Sequence, residues 1–178
     1  GRIAALNEGF SGAIGELGYE GSYRGVLPIK VNQQQQVAEE VAAFGQRFHY
    51  GFEAGSKPEL ICALAYLKDP EALLVCNGYK DEEFVELALH GQMMGLNVIL
   101  VLEMLGELET IERCAERMGI EPNIGIRVKL SATGSGQWSA SAGERSPFGL
   151  NLGQLVQTVE HLKSRGRLSW LRMLHWHQ

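Results

Sequence analysis

Residues 23–36 read YRGVLPIKVNQQQQ, and this stretch predicts a strand that leads directly into a helix. Residues 23–31 are mostly apolar and β-prone, and Asn32 has the short polar side chain that commonly caps a helix. Lys30 falls near the carboxyl end of the predicted strand, on the face that also holds Val26 and Pro28. The stretch therefore predicts an amine at one end of a sheet.

Lys30 allows two interpretations. Its neighbours Ile29 and Val31 are apolar, and burial of an amine favours its neutral form, which can attack a carbonyl to form a Schiff base. Alternatively, the ammonium extends to water from the end of an ordinary strand. Spacing alone favours the second interpretation, because nothing but the expected burial argues for an activated amine.

Length and charge narrow the class of protein. A chain of 178 residues predicts one domain with a sizeable core, and 45% apolar with 21% charged residues is ordinary for a globular protein. The net charge of −5 gives no basic field for nucleic acid or an anionic membrane. We expect neither as a partner, since no apolar run is long enough to span a membrane and the first residues contain no secretory signal. The start at Gly1 suggests that earlier residues are missing.

The three cysteines indicate a reducing compartment, the cytoplasm. Cys62, Cys76 and Cys114 are far apart, odd in number and without a CxxC pair. This pattern argues against a disulfide framework and against a zinc knuckle. We expect the cysteines to act as small apolar residues in helices or strands.

Strand and helix patterns alternate about six times along the chain, after a first helix predicted over residues 3–17. The predicted strands cover residues 23–31, 48–54, 72–76, 97–102, 123–130 and 169–177. The predicted helices between them cover residues 33–44, 56–67, 81–95, 107–118 and 152–165, with a capping-box pattern at Ser56 and Glu59 and a cap at Asn151.

This alternation predicts an α/β fold with parallel strands and right-handed helical crossovers. A complete (β/α)8 TIM barrel has about 250 residues, so the chain corresponds to about three quarters of one, truncated at both ends. A doubly wound sheet is the alternative, but the sequence contains neither GxGxxG nor GxxxxGK. Residues 131–147 interrupt the alternation with a Ser/Gly-rich segment that includes Arg145, which predicts a mobile lid or a phosphate cradle.

Polar residues are predicted where the strands end. In a barrel the carboxyl ends of the strands surround the active site. The residues placed there are Lys30, Glu53, Asn77, Glu103, Arg127, His175 and His177. The sequence therefore predicts that an amine, carboxylates, a fixed cation and imidazoles lie together at one end of the barrel.

His175 and His177 are two residues apart and share one face of the last strand. One interpretation is a metal site of the kind that barrel hydrolases build from His-x-His pairs, although no third ligand with suitable spacing is visible. Another is that one imidazole lies flat over an aromatic cofactor ring. A structural role remains open for at least one of the two.

Six motifs together are specific. They are PIKVNQ (28–33), YGFEAGSKPEL (50–60), VCNGYKDEEFVELAL (75–89), PNIGIRVKL (122–130), GSG-x-W (134–138) and LHWH (174–177). With them nearly the whole chain resembles the biosynthetic (SpeA-type) arginine decarboxylases, which belong to the alanine-racemase-like barrel enzymes that use pyridoxal 5'-phosphate. The resemblance implies that cofactor, and also Mg2+, for which it indicates no ligand in this chain.

The resemblance also implies roles for individual residues. Lys30 is implied as the catalytic lysine that forms a Schiff base with the cofactor, and Glu53 and Arg127 as cofactor-binding residues. His177 is implied to stack on the pyridine ring and to take part in catalysis. The activity implied is decarboxylation of L-arginine to agmatine for polyamine (spermidine) synthesis, by a full-length enzyme that is a homo-oligomer.

The sequence also departs from the family pattern. Pro147 stands in RSPFGL where family members usually read KSKFGL, and Gln137 stands where a lysine is common. The family's Gly-rich phosphate loop and its second, β-rich domain would lie beyond Gln178. The resemblance therefore implies that residues 1–178 are an incomplete cofactor-binding barrel domain, inactive when isolated. A metal-dependent barrel hydrolase and a non-catalytic barrel fragment are the alternatives.

Overall fold

The computed structural model describes residues 1–129 and 148–176. In these residues six parallel strands form one sheet in the order of the sequence. They are β1 (Val26–Pro28), β2 (Gly51–Ala54), β3 (Leu73–Cys76), β4 (Asn97–Leu102), β5 (Ile124–Arg127) and β6 (Leu171–His175). A doubly wound sheet reverses its strand order at a switch point. The unbroken sequential order is instead that of a partial TIM barrel, which confirms the predicted fold class.

Helices connect the strands. Helix α1 (Arg2–Leu17) precedes β1, and one helix follows each strand from β1 to β5. These are α2 (Gln35–Gly45), α3 (Lys57–Tyr66), α4 (Glu82–Met93), α5 (Gly106–Met118) and α6 (Leu152–Ser164). None of the described helices has the length and apolar content that crossing a bilayer requires.

Both faces of β3 and β4 in the centre of the sheet are buried, because their side chains alternate between two apolar clusters. Phe52, Leu74 and Leu100 belong to the larger cluster, which also contains the apolar faces of the helices. Val75 and Ile99 belong to a smaller cluster on the other face. The continuous apolar run of β4 is therefore buried on both sides, as the sequence predicts.

The cysteines behave as small apolar residues. Cys76 and Cys114 are buried and Cys62 is half-buried against the larger cluster. Burial raises the pKa of the Cys76 thiol to about 12, so that this thiol stays protonated and unreactive at neutral pH.

The first strand is shorter than predicted. It ends at Pro28, and Lys30 lies in a short 3-10 turn over Ile29–Val31. The N–H of Asn32 closes this turn on the carbonyl of Ile29 at 3.0 Å. The prediction that Lys30 lies within the strand is therefore wrong. Its side chain is 63% exposed, which agrees with the favoured interpretation of an ammonium that extends toward water and not with a buried amine.

Other boundaries also differ from those predicted. Residues 46–48 and 168–170 form short 3-10 helices rather than the beginnings of β2 and β6. Asn32 is not the helix cap, although its side chain accepts the N–H of Gln34, which is the capping residue of α2. The capping box predicted at Ser56 is absent, because Glu59 accepts the N–H of Gly55 instead. Residues 130–147, with Gln137, Arg145 and Pro147, and His177 lie outside the described residues.

Helix α6 begins as predicted with Asn151. The Asn151 side chain accepts the N–H of Gln154 at 2.9 Å, and the Gln154 side chain accepts the N–H of Asn151 at 3.0 Å. The two bonds form a reciprocal capping box that satisfies donors at the start of the helix.

Replacing this cap is expected to have a modest effect on stability. Asn151→Ala removes the acceptor for the Gln154 N–H, and we expect the free energy of unfolding to fall by about 1 kcal/mol. Asn151→Asp keeps an acceptor of the same length and is the matched control. Urea unfolding of the two variants of the full-length protein measures the difference, and equal midpoints would show that the cap does not stabilise α6.

Candidate active site

The carboxyl ends of the strands open on a cavity of about 690 Å³. The side chains around it come from all six strands or from the residues directly after them, including the turn after β1. Six of the polar residues singled out from the sequence line this cavity: Lys30, Glu53, Asn77, Glu103, Arg127 and His175. The seventh, His177, lies outside the described residues, and its role stays a prediction.

Lys30 reaches the cavity from the turn that follows β1. Pro28 pairs with Glu53 in the register of β1 and β2, so the turn places the lysine above the glutamate. The Nζ atom of Lys30 is 3.8 Å from Oε1 of Glu53. Because the amine is largely exposed to the cavity, a small molecule can reach it.

Glu53 is the most deeply placed acid beside that amine, with its side chain 7% exposed. Its Oε1 accepts a hydrogen bond from Nδ2 of Asn77 at 3.1 Å. Its Oε2, and Oδ1 of Asn77, have no hydrogen-bond partner among the described residues. Unpaired buried acceptors are costly, so a bound group whose N–H or O–H donors reached these two atoms would relieve that cost.

Arg127 is fixed at the end of β5 by a buried carboxylate. Its Nη1 donates to Oε2 of Glu103 at 2.7 Å, and Oε1 of Glu103 accepts the N–H of Gly78 at 2.8 Å. Charge-assisted bonds of this length hold the guanidinium firmly at the cavity wall. Gly78 has a φ of 74°, and a Cβ there would lie 2.4 Å from the carbonyl oxygen of Gly55, so the close approach of these two turns requires glycine.

A buried ion pair beneath Arg127 was not anticipated from the sequence. The Nζ atom of Lys80 lies 3.6 Å from Oε2 of Glu107, and neither side chain is more than 3% exposed. Burial lowers the pKa of the Lys80 ammonium, and the carboxylates of Glu107 and Glu103 oppose that shift. In sequence, Lys80 looks like a loop lysine and Glu107 like an exposed residue of a first helical turn, so no local pattern signals their pairing.

One cluster of metal-ligand type occurs among the described residues, away from the cavity. It consists of Glu82, Glu86 and Cys114 on α4 and α5. Arg117 donates to both carboxylates and Arg113 lies 3.6 Å from Glu82, so two guanidinium charges offset the two carboxylates. The cluster is therefore explained as an ion-pair network between neighbouring helices.

Comparison with known proteins shows which family the chain belongs to. Residues 10–177 match the family model described as pyridoxal-dependent decarboxylase, pyridoxal binding domain. The chain belongs to this family. Membership confirms the resemblance seen in the motifs and argues against a metal-dependent hydrolase built on His175 and His177.

Individual relatives agree with this pyridoxal-binding domain. The biosynthetic arginine decarboxylase of Gloeobacter violaceus is 51% identical over 176 residues, which are 99% of this chain and 27% of that protein. The crystal structure of the biosynthetic arginine decarboxylase SpeA from Campylobacter jejuni superposes with a TM-score of 0.85 at 35% identity, covering 98% of this chain and 27% of that one. The chain thus spans about a quarter of the length of these relatives.

A more distant structure supports the fold alone. Diaminopimelate decarboxylase from Helicobacter pylori, in complex with L-lysine, superposes on 89% of this chain with a TM-score of 0.67 at 20% identity. The pyridoxal-binding domain therefore has a barrel framework that decarboxylases of different substrates also use.

Proposed function

We propose that the protein containing this domain decarboxylates L-arginine to agmatine with pyridoxal 5'-phosphate held by Lys30. The observation that carries the proposal is the amine of Lys30, open to the cavity and 3.8 Å from the buried carboxylate of Glu53. The substrate is inferred from the arginine decarboxylases that this chain resembles, one of which is 51% identical to it over 99% of its length.

The residues of the cavity suit such a cofactor. Lys30 would hold the aldehyde, and the unpartnered Oε2 of Glu53 would accept a hydrogen bond from a ring or hydroxyl donor. Arg127 would supply a fixed positive charge, and His177 is proposed to lie against the ring. When bound, pyridoxal 5'-phosphate acts as a sink for the electron pair that remains after carbon dioxide leaves the substrate.

Side chains of this domain would carry out proton transfer and would hold the binding groups in position. An accessible Lys30 amine can release the aldehyde to an incoming amino acid and can afterwards return a proton to the substrate carbon. Asn77 holds the carboxylate of Glu53 in place through a 3.1 Å hydrogen bond from its Nδ2 to Oε1. Arg127, already paired with Glu103, resists displacement when an anion binds.

The resemblance to arginine decarboxylases adds four further properties to this proposal. They are a requirement for Mg2+, assembly of the full-length enzyme into a homo-oligomer, localisation in the cytoplasm and a contribution to polyamine and spermidine synthesis. A decarboxylase of this kind has a small amino acid as its substrate and needs neither nucleic acid nor membrane.

Borohydride reduction tests the proposal. The full-length protein is incubated with pyridoxal 5'-phosphate, reduced, digested and analysed by mass spectrometry, while agmatine formation from L-arginine is measured in parallel. We expect a pyridoxyl group on the peptide containing Lys30, and faster carbon dioxide release from L-arginine than from L-ornithine or L-lysine. Label on Lys80 or another lysine, or a protein that stays colourless and unlabelled, would contradict the proposal.

A further inference from the structure

We infer that Lys80 and Glu107 are a positioning pair that fixes Arg127 at the cavity wall through Glu103. The inference rests on the proposed function, because it concerns the hold of this domain on its cofactor. Neither residue lines the cavity, so both would act through another side chain rather than on the reacting atoms.

Glu107 organises the end of β4. One of its oxygens, Oε2, accepts the N–H of Glu103 at 2.7 Å and that of Met104 at 3.3 Å. The other, Oε1, accepts the N–H of Lys80 at 3.0 Å. A single buried carboxylate thus ties the turn after β4 to the turn after β3, and it sets the backbone from which the Glu103 side chain projects.

Lys80 fixes the other side of the same junction. Its Nζ donates to the carbonyl oxygen of Gly78 at 2.6 Å and lies 3.6 Å from Oε2 of Glu107. The backbone of Gly78 is therefore held from both directions, because its N–H donates to Oε1 of Glu103 at 2.8 Å. The lysine side chain is 0% exposed and cannot reach a substrate.

Glu103 connects the buried pair to Arg127 at the cavity wall. Its two oxygens are divided between the Gly78 N–H and the Arg127 guanidinium, so the direction of Arg127 depends on where both the backbone of Glu103 and Gly78 lie. Hydrogen bonds that share partners in this way act as a network, and removal of one member changes the position of the others. Small misplacements of a binding group cost much of its effect.

The burial of two charges supports a positioning role. Burying an ammonium and a carboxylate costs several kcal/mol unless further hydrogen bonds compensate, and apolar residues often stabilise a protein equally well. Here nearly every contact of the pair is with the backbone of two turns that end at the cavity. These contacts therefore fix the positions of the backbone in the two turns. An apolar pair could not do so, because it would make no hydrogen bonds to that backbone.

A double-mutant cycle in the full-length enzyme tests the inference. Glu107→Gln removes the charge and keeps the size, and Arg127→Met removes the guanidinium. The dissociation constant for pyridoxal 5'-phosphate is measured by absorbance titration for each variant and for the double variant. Glu112→Gln is the matched control, since Glu112 is a partly buried acid on the same helix that accepts from Arg167 at 2.8 Å and does not line the cavity.

We expect Glu107→Gln to weaken cofactor binding by about tenfold or more in the parent enzyme. Added to Arg127→Met, the same change should cost less than about twofold, because its effect passes through the arginine. Glu112→Gln should leave the constant unchanged. Equal losses in both backgrounds, or no loss in the parent, would overturn the inference, because a purely structural role does not depend on Arg127.

Two further outcomes are decisive. If the Glu107→Gln enzyme does not fold, the cycle is repeated with Lys80→Met, which leaves Glu107 and its backbone bonds; failure of both to fold would assign the pair to stability and refute positioning. If the parent enzyme takes no pyridoxyl label on Lys30, the proposed function itself fails. A labelled parent with an unaffected Glu107→Gln enzyme refutes the positioning role alone.

Discussion

Replacing Lys30 by methionine in the full-length enzyme is expected to lower the rate of arginine decarboxylation by roughly 10²–10⁴-fold. The substitution removes both the amine that would hold the aldehyde and the group that would return a proton. Dialysis should then strip the cofactor from the variant, and borohydride should leave no pyridoxyl group on the peptide of residues 23–36. Agmatine formation and mass spectrometry measure the two effects.

The fold should tolerate this change. The Lys30 side chain is 63% exposed, and among the described residues its ionic contact is the 3.8 Å approach to Glu53. We therefore expect the free energy of unfolding of the apo-enzyme to change by no more than about 0.5 kcal/mol. Lys68→Met is the matched control, because Lys68 is exposed and lies between α3 and β3, at the opposite end of the sheet. Equal activity of the two variants would disprove a role for the Lys30 amine.

The sequence predicts where the polar residues meet better than how each is held. In parallel strands with helical crossovers every carboxyl end points the same way, so Glu53, Asn77 and Arg127 had to converge once their strands were recognised. This convergence follows from the alternation of side chains along each strand and from the common direction of the strands, and local sequence patterns indicate both. The sequential order of the strands does not follow from this alternation, because a doubly wound sheet alternates in the same way, and only the structure excludes its reversed order.

The environment of Lys30 shows the limit of such patterns. Apolar residues continue past Pro28, and the periodicity therefore suggests a longer strand, but the chain turns at Ile29 into a short 3-10 helix. The turn that follows buries Ile29 and exposes Val31. Whether an apolar residue next to the lysine is buried thus depends on where the strand changes to a turn, which the apolar pattern does not reveal.

The Lys80–Glu107 pair was missed for a different reason. Both residues lie in segments where charged side chains are normally solvated, a turn and the first turn of a helix. Their burial results from the meeting of two turns that are 27 residues apart in sequence. A contact of this kind is a property of tertiary packing, and neither helical nor strand periodicity contains it.

Replacing Gly51 by alanine is expected to lower the free energy of unfolding by about 3 kcal/mol. A Cβ at this position would lie 1.8 Å from the carbonyl oxygen of Leu73 and 2.9 Å from its nitrogen. Both atoms belong to backbone, so no side chain can rotate away. Relief would require β2 and β3 to separate where Phe52 pairs with Leu74, and both of these side chains are fully buried.

Urea unfolding of the full-length protein measures this loss, and Gly9→Ala provides the matched control. A Cβ at Gly9, in the middle of α1, would meet nothing within 4 Å. Because alanine favours a helix over glycine by roughly 0.5–1 kcal/mol, the control should be as stable as the parent or slightly more so. The same chemical change thus acts in opposite directions at the two sites. An alanine at Gly51 that leaves the unfolding midpoint unchanged would mean that β2 and β3 do not approach each other this closely.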